Sequence, residues 1–146
     1  MKKLFIAALL AISVASSAFA ADVATVKAIV LNNFKHDFER ATEVSWKANS
    51  DYAKATFILD HQKMEVFYNS DGDIIGTSKA ISLDELPVKA KRTFAQKFDG
   101  YTVKEAIRFE GNEDAAYFIS AENEKESVVL KVADNSQVSI FKKDKK

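Results

Sequence analysis

Val26, Val30, Phe34 and Phe38 recur at four-residue intervals, and Leu86, Ala90, Phe94 and Phe98 repeat that spacing about 60 residues later. Side chains at this spacing share one face of a helix, which must bury that face. Strand-like runs follow each stripe. Self-similarity at this period implies one supersecondary unit made twice, each unit burying an apolar face that neither would bury well alone. The expected architecture is α+β: two tandem copies, at about residues 21–81 and 82–142, of a helix followed by about four short antiparallel strands. The copies can join as one sheet of about eight strands or stand as two sheets, and the pattern leaves both open.

An export signal precedes them. Lys2 and Lys3 supply a positive start, Leu4 to Val14 a short apolar core, and Ala18-Phe19-Ala20 a small-x-small cleavage pattern. Residues 1–20 read as a signal peptide cut after Ala20. The apolar run is short for a bilayer span, so no stable membrane anchor is expected after cleavage. There is no cysteine, which excludes a lipid-attachment cysteine, a disulfide framework, a thiol nucleophile and a cysteine metal site. A periplasmic or secreted location follows. About 126 residues remain, one ordinary domain. Losing Lys2 and Lys3 takes the 21 basic residues to 19 against 21 acidic ones. That balance argues against a nucleic-acid partner.

The first helix is expected over Val23 to Glu39. Strands are expected over Glu43–Lys47, Tyr52–Leu59, Lys63–Asn69 and Ile74–Ile81. Period-two alternation puts Ala53, Ala55, Phe57 and Leu59 on one face and Lys54, Thr56 and Ile58 on the other. Val44 and Trp46 share a face, as do Met64, Val66 and Tyr68. Asn49-Ser50-Asp51 and Asp60-His61-Gln62 read as hairpin loops, and Asp71-Gly72 as a turn needing glycine's positive φ. The second helix starts from the Ser82/Glu85 capping-box spacing or from Leu86-Pro87, and ends near Asp99-Gly100. Strands over Thr102–Phe109, Ala115–Ala121, Ser127–Ala133 and Gln137–Phe141 follow, with a frayed charged tail from Lys142.

Val44-x-Trp46, Tyr52 with Phe57, Val66-Phe67-Tyr68, Asp71-Gly72, Leu86-Pro87, Tyr101, Ile107 and Tyr117 together are similar to the PepSY-like, beta-lactamase-inhibitor-like (BLIP-like) proteins exported by Bacteroidetes-type bacteria. The resemblance spans nearly all of the mature chain and lies in the order and spacing of apolar and turn residues. It implies a helix packed on antiparallel strands and a non-enzymatic role in the cell envelope. The second half departs from the pattern. Ala106 stands near the tryptophan position, and Asp134-Asn135 replaces the Asp-Gly turn.

The residues that carry chemistry elsewhere have plainer readings here. Asn69, Asp71 and Asp73 have calcium-loop spacing. However, Ile74 replaces the loop glycine and Ala80 the bidentate glutamate, so a hairpin turn explains them better. His36 falls off the apolar stripe and His61 in a loop, and no Gly-x-Ser-x-Gly elbow occurs. Among Glu43, Asp60, Glu65, Glu105, Glu110 and Glu122, spacing selects no acid–base pair. With four glycines and no phosphate loop, no catalytic residue, cofactor or metal is expected.

Aromatics carry the functional expectation. Phe67 shares the outward face with Lys63 and Glu65, and Ile58 lies on the same face of the preceding strand. A patch of Phe67, Ile58 and Tyr52, rimmed by Lys54 and Glu65, suits contact with an envelope protein or peptide. The alternative is that the other half covers this face. The leading functional reading is an exported, non-catalytic binding domain, with an inhibitor role as its finer form. A carrier of a small apolar or peptidic ligand, which needs an internal cavity, is the second. An unrecognised hydrolase, which needs a cleft at His36 or His61, is the third. Oligomeric state is not legible.

Overall fold

A computed structural model of the protein describes residues 25–146. The expected signal segment, its cleavage point and the helix start at Val23 lie outside the described residues. Helix α1 spans Ala28–Asp37 and buries Val30 and Phe34, as the stripe requires. Strands β1 (Thr42–Ala48), β2 (Ala53–Leu59), β3 (Gln62–Tyr68) and β4 (Ile74–Ala80) follow. A 3-10 turn at Leu83–Glu85 leads into α2 (Val88–Lys97). The chain then continues as β5 (Thr102–Gly111), β6 (Ala115–Glu122), β7 (Glu126–Ala133) and β8 (Val138–Lys145). The Ser82/Glu85 capping box forms on the 3-10 turn, where the Ser82 N–H donates to Glu85 Oε1 at 3.0 Å. Pro87 supplies the start of α2 itself. No helix among the described residues is long and apolar enough to cross a membrane.

The expectation of two tandem helix-plus-four-strand copies is corrected. The described residues form one eight-stranded antiparallel sheet, in the order β1 to β8, with two ten-residue helices. The sheet does not break at the midpoint. β4 pairs with β5 from Gly76↔Gly111 to Ala80↔Ile107, and the Ile81 N–H donates to the Ala106 carbonyl at 2.9 Å. An unpaired β4 would leave a row of backbone donors and acceptors bare, and β5 satisfies them. The broad α+β class stands.

Register fixes the two faces. Val66 pairs with Thr77 and Thr77 with Glu110, so Ala106 and its partner Ile119 lie on the same face as Val66. This is the helix-covered face. Under α1 it holds Trp46, Phe57, Val66 and Tyr68, with Phe34 of α1 edge-on to both Trp46 and Phe57 at 5.1 Å. Under α2 it holds Ala106, Ile119 and Leu130, against Ala90 of α2 and Leu86 just before it. Among the described residues, both helices therefore lie on one face and the other carries no helix; it is the helix-free face in this sense.

Turn chemistry follows the residues. Asp60 and His61 both take positive φ (49° and 66°), the pattern of a tight hairpin turn matched to strand twist. The Asn69–Asp73 loop is built on Asn69, whose Oδ1 accepts from the N–H groups of Asp71 and Asp73, both at 2.9 Å. Gly72 has φ +88°, and its carbonyl accepts from Asn33 Nδ2 of α1 at 2.8 Å. A Cβ there would come within 2.7 Å of Asn33 Nδ2 and 3.0 Å of Ile29 Cγ1. Gly72→Ala is therefore expected to cost about 1–3 kcal/mol, from left-handed strain plus displacement of α1. Urea unfolding of the variant checks this, and a neutral result would contradict the docking of the loop on the helix.

The frayed tail is also corrected. Lys142 to Lys145 belong to β8 and pair with Val129 to Glu126 of β7. Ion pairs hold this end: Lys143 Nζ lies 2.8 Å from Glu126 Oε2 and Lys146 Nζ 3.1 Å from Glu122 Oε2. Lys143, together with the Tyr101 hydroxyl, holds the Glu126 carboxyl below its ordinary range.

Candidate functional site

The helix-free face has a core of its own. Phe67, Phe109, Ala116 and Phe118 are buried on it, ringed by half-buried Tyr52, Ile75, Ile107, Val129 and Phe141. Among the described residues no helix covers these side chains, and they cover one another. Tyr52 stands edge-on to Phe67 at 5.7 Å, Phe67 edge-on to Phe109 at 6.4 Å, and Phe118 edge-on to Phe141 at 5.3 Å. Phe109 lies down on the sheet because two glycines make room for its ring. A Cβ at Gly76 would meet Phe109 Cζ at 2.9 Å, and one at Gly111 would meet Cε1 at 3.0 Å.

Beside the aromatics lies a polar cluster. Lys54 pairs with Phe67 across β2 and β3, and Thr56 with Glu65, so Lys54 and Glu65 are diagonal neighbours. Lys54 Nζ donates to Glu65 Oε1 at 2.8 Å, and its side chain is 2% exposed. Thr56 Oγ1 donates to Glu65 Oε1 and Ser78 Oγ to Glu65 Oε2, both at 3.3 Å. The Lys54 ammonium also sits 5.9 Å from the centre of the Phe67 ring. One carboxylate thus accepts from three side chains on β2 and β4, tying three strands together.

The five sequence-derived candidates share this face, but in different depths. Tyr52 and Ile58 are half-buried. The outward exposure expected for Phe67 is not found: it is 1% exposed. Its cover comes from Tyr52 and Lys54 on its own side of the sheet and from Phe109 of β5. Lys54 and Glu65 do not form a solvated rim. Lys54 is buried and Glu65 half-buried, because the face is crowded enough to take the Lys54 stem and ammonium out of water.

Sequence reasoning missed Ile75, Ile107, Phe109, Phe118, Val129 and Phe141 as members of this face. A signal was present. Val66-Phe67, Ile74-Ile75, Phe118-Ile119 and Val128-Val129-Leu130 are adjacent apolar residues within strands. Such runs mark strands buried on both faces, whereas a half-exposed sheet alternates.

The remaining candidates fall elsewhere. His36 is exposed on α1, with Nδ1 3.1 Å from Asp37 Oδ1, and His61 is exposed at the β2–β3 turn. Between α1 and β1 lies an open groove of about 500 Å³, lined by Leu31, Phe34, Phe38, Val44 and Trp46 among others. It is open to one side, unlike the enclosed cavity that a small-ligand carrier requires.

No family model matches the chain, and no curated protein matches it. Solved structures do match. A candidate periplasmic protein from Bacteroides eggerthii shares 15% identity at a TM-score of 0.72, over 82% of this chain and 88% of that one. A DUF2874 family protein from Bacteroides ovatus shares 20% at 0.69, over 83% and 88%. A BLIP-like protein from Bacteroides fragilis shares 16% at 0.65, over 82% and 85%. None of these names carries the PepSY-like part of the resemblance. Identities this low speak of fold alone. The chain has the fold of the BLIP-like and DUF2874 proteins of Bacteroides.

Proposed function

We propose that the protein is an exported, non-catalytic binding domain that recognises a protein or peptide of the cell envelope through its helix-free face. The observation that supports this most is the aromatic cluster on a sheet face that, among the described residues, has no helix over it. Interface cores favour aromatic residues of this kind, ringed by polar groups. Tyr52, Ile58, Ile107 and Phe141 supply the accessible apolar contacts. Lys63 and Glu105, 3.7 Å apart, and Lys131, 2.6 Å from Asp114, supply charges around them. Phe67, Lys54 and Glu65 act beneath, setting the shape of the face. The likeness to a candidate periplasmic protein and to a BLIP-like protein supports the envelope setting. Inhibition of an enzyme is the finer form of this reading, with the partner's surface laid across the sheet.

Capture from an envelope extract of the source organism, read by mass spectrometry, tests the proposal. One dominant protein is expected, lost with Phe141→Ala and retained with Val88→Ala, an exposed substitution on α2. Equal recovery with both variants, or no enriched protein, would overturn it.

A further inference from the structure

The two edges of the sheet differ in chemistry. β8 carries Lys142, Lys143 and Lys145, a charged edge of the kind that resists addition of another strand. β1 reads Thr42, Glu43, Val44, Ser45, Trp46, Lys47, Ala48 and, among the described residues, has a strand on one side only. The groove beside it is lined by Leu31, Phe38, Val44 and Trp46, and Lys35 and Glu39 give it one charge of each sign. Val44 is 40% exposed there.

We infer that a second copy of this chain docks at this edge, with the two β1 strands antiparallel about a two-fold axis at Ser45. The charge pattern of β1 is complementary to itself when reversed. Glu43 comes opposite Lys47 of the partner subunit, and Val44 opposite Trp46 of the partner subunit. Opposed charges and apolar pairs are the favourable cross-strand combinations. The backbone phase agrees. The Asn49 N–H donates to the Tyr52 carbonyl at 3.0 Å. Continuing that alternation along the regular β1–β2 pairs, from Ala48↔Ala53 to Ser45↔Thr56, turns Lys47 and Ser45 toward β2, and Trp46 toward the open edge. Val44 and Trp46 are the residues that the proposed register places opposite one another. The register shift between Thr42 and Ser45 leaves Glu43, at φ +53°, and Val44 without partners on β2, so these two residues reach the new seam from a bulge and the pairing ends there.

The two grooves then meet across the seam without net charge, and Val44 leaves water. A two-fold pairing closes on itself. Pairing β1 with β8 instead would set the apolar edge against lysines and leave an open-ended filament.

Sedimentation of the purified protein over a concentration series tests this, with Glu43→Lys, Lys47→Glu and the double exchange as variants. The native chain is expected to show a monomer–dimer equilibrium. Each single substitution places like charges opposite one another twice per dimer and weakens association about tenfold. The double exchange restores it. Circular dichroism confirms that each variant is folded. A native chain that stays monomeric up to about 1 mM, or single and double variants that associate alike, would overturn the inference. The envelope capture experiment does not depend on this outcome.

Discussion

Glu65→Leu is expected to destabilise the protein by about 3–5 kcal/mol, the loss typical of leaving one partner of a buried ion pair behind. The Lys54 ammonium has Glu65 as its hydrogen-bonded partner at 2.8 Å, and its side chain is 2% exposed. Without the carboxylate it must remain charged in an apolar setting, lose its proton, or pull out of the face. Each of these costs free energy. Thr56 and Ser78 lose their acceptor as well. The matched control is the double variant Lys54→Met/Glu65→Leu. Replacing both members of such a pair with apolar groups of similar volume is often neutral. The double variant is therefore expected to recover most of the loss, apart from the two hydroxyls. Urea unfolding of the three proteins gives the coupling between the sites. A cost below about 1 kcal/mol for the single variant is the value expected of an exposed pair, and it would contradict the buried network.

Phe67→Ala is expected to cost about 3–5 kcal/mol, the range for truncating a buried phenylalanine. The ring packs against Tyr52, just ahead of β2, and Phe109 of β5, so its removal opens a cavity where the two halves of the sheet meet on the helix-free face. Phe141→Ala, at the half-buried margin, is expected to cost less because its ring leaves less buried area. A Phe67→Ala protein as stable as the native one would mean that this face has no core of its own.

Element type and order were legible because the signals were local. The stripes Val26–Phe38 and Leu86–Phe98 mark the two helices. Alternation in Ala53–Leu59 and the turn residues at Asp60-His61 and Asp71-Gly72 mark the first hairpins. Lengths were less legible. β8 runs four residues beyond Phe141 because Glu126 and Glu122 neutralise lysines that, alone, read as a solvated tail. The joining of β4 to β5 was not legible, since backbone pairing between distant strands leaves no periodic trace.

The candidate site was half legible. Parity put Tyr52, Lys54, Ile58, Glu65 and Phe67 on a common face. Parity does not report what else shares that face. Phe109 reaches Phe67 only through a sheet continuous across the midpoint. The depth of Lys54 likewise depends on three strands being adjacent. Burial is a property of the assembled face, and alternation within one strand carries no record of it.

The helix-free face as the contact surface is the central claim. Hydroxyl-radical footprinting of the protein, alone and with its captured envelope partner, tests it most directly. Tyr52 and Phe141 are expected to lose oxidation in the complex, while Ile29 and Val88, exposed on the helices, keep theirs. Protection of Ile29 and Val88 with Tyr52 and Phe141 unchanged would place the partner on the helices and contradict the account.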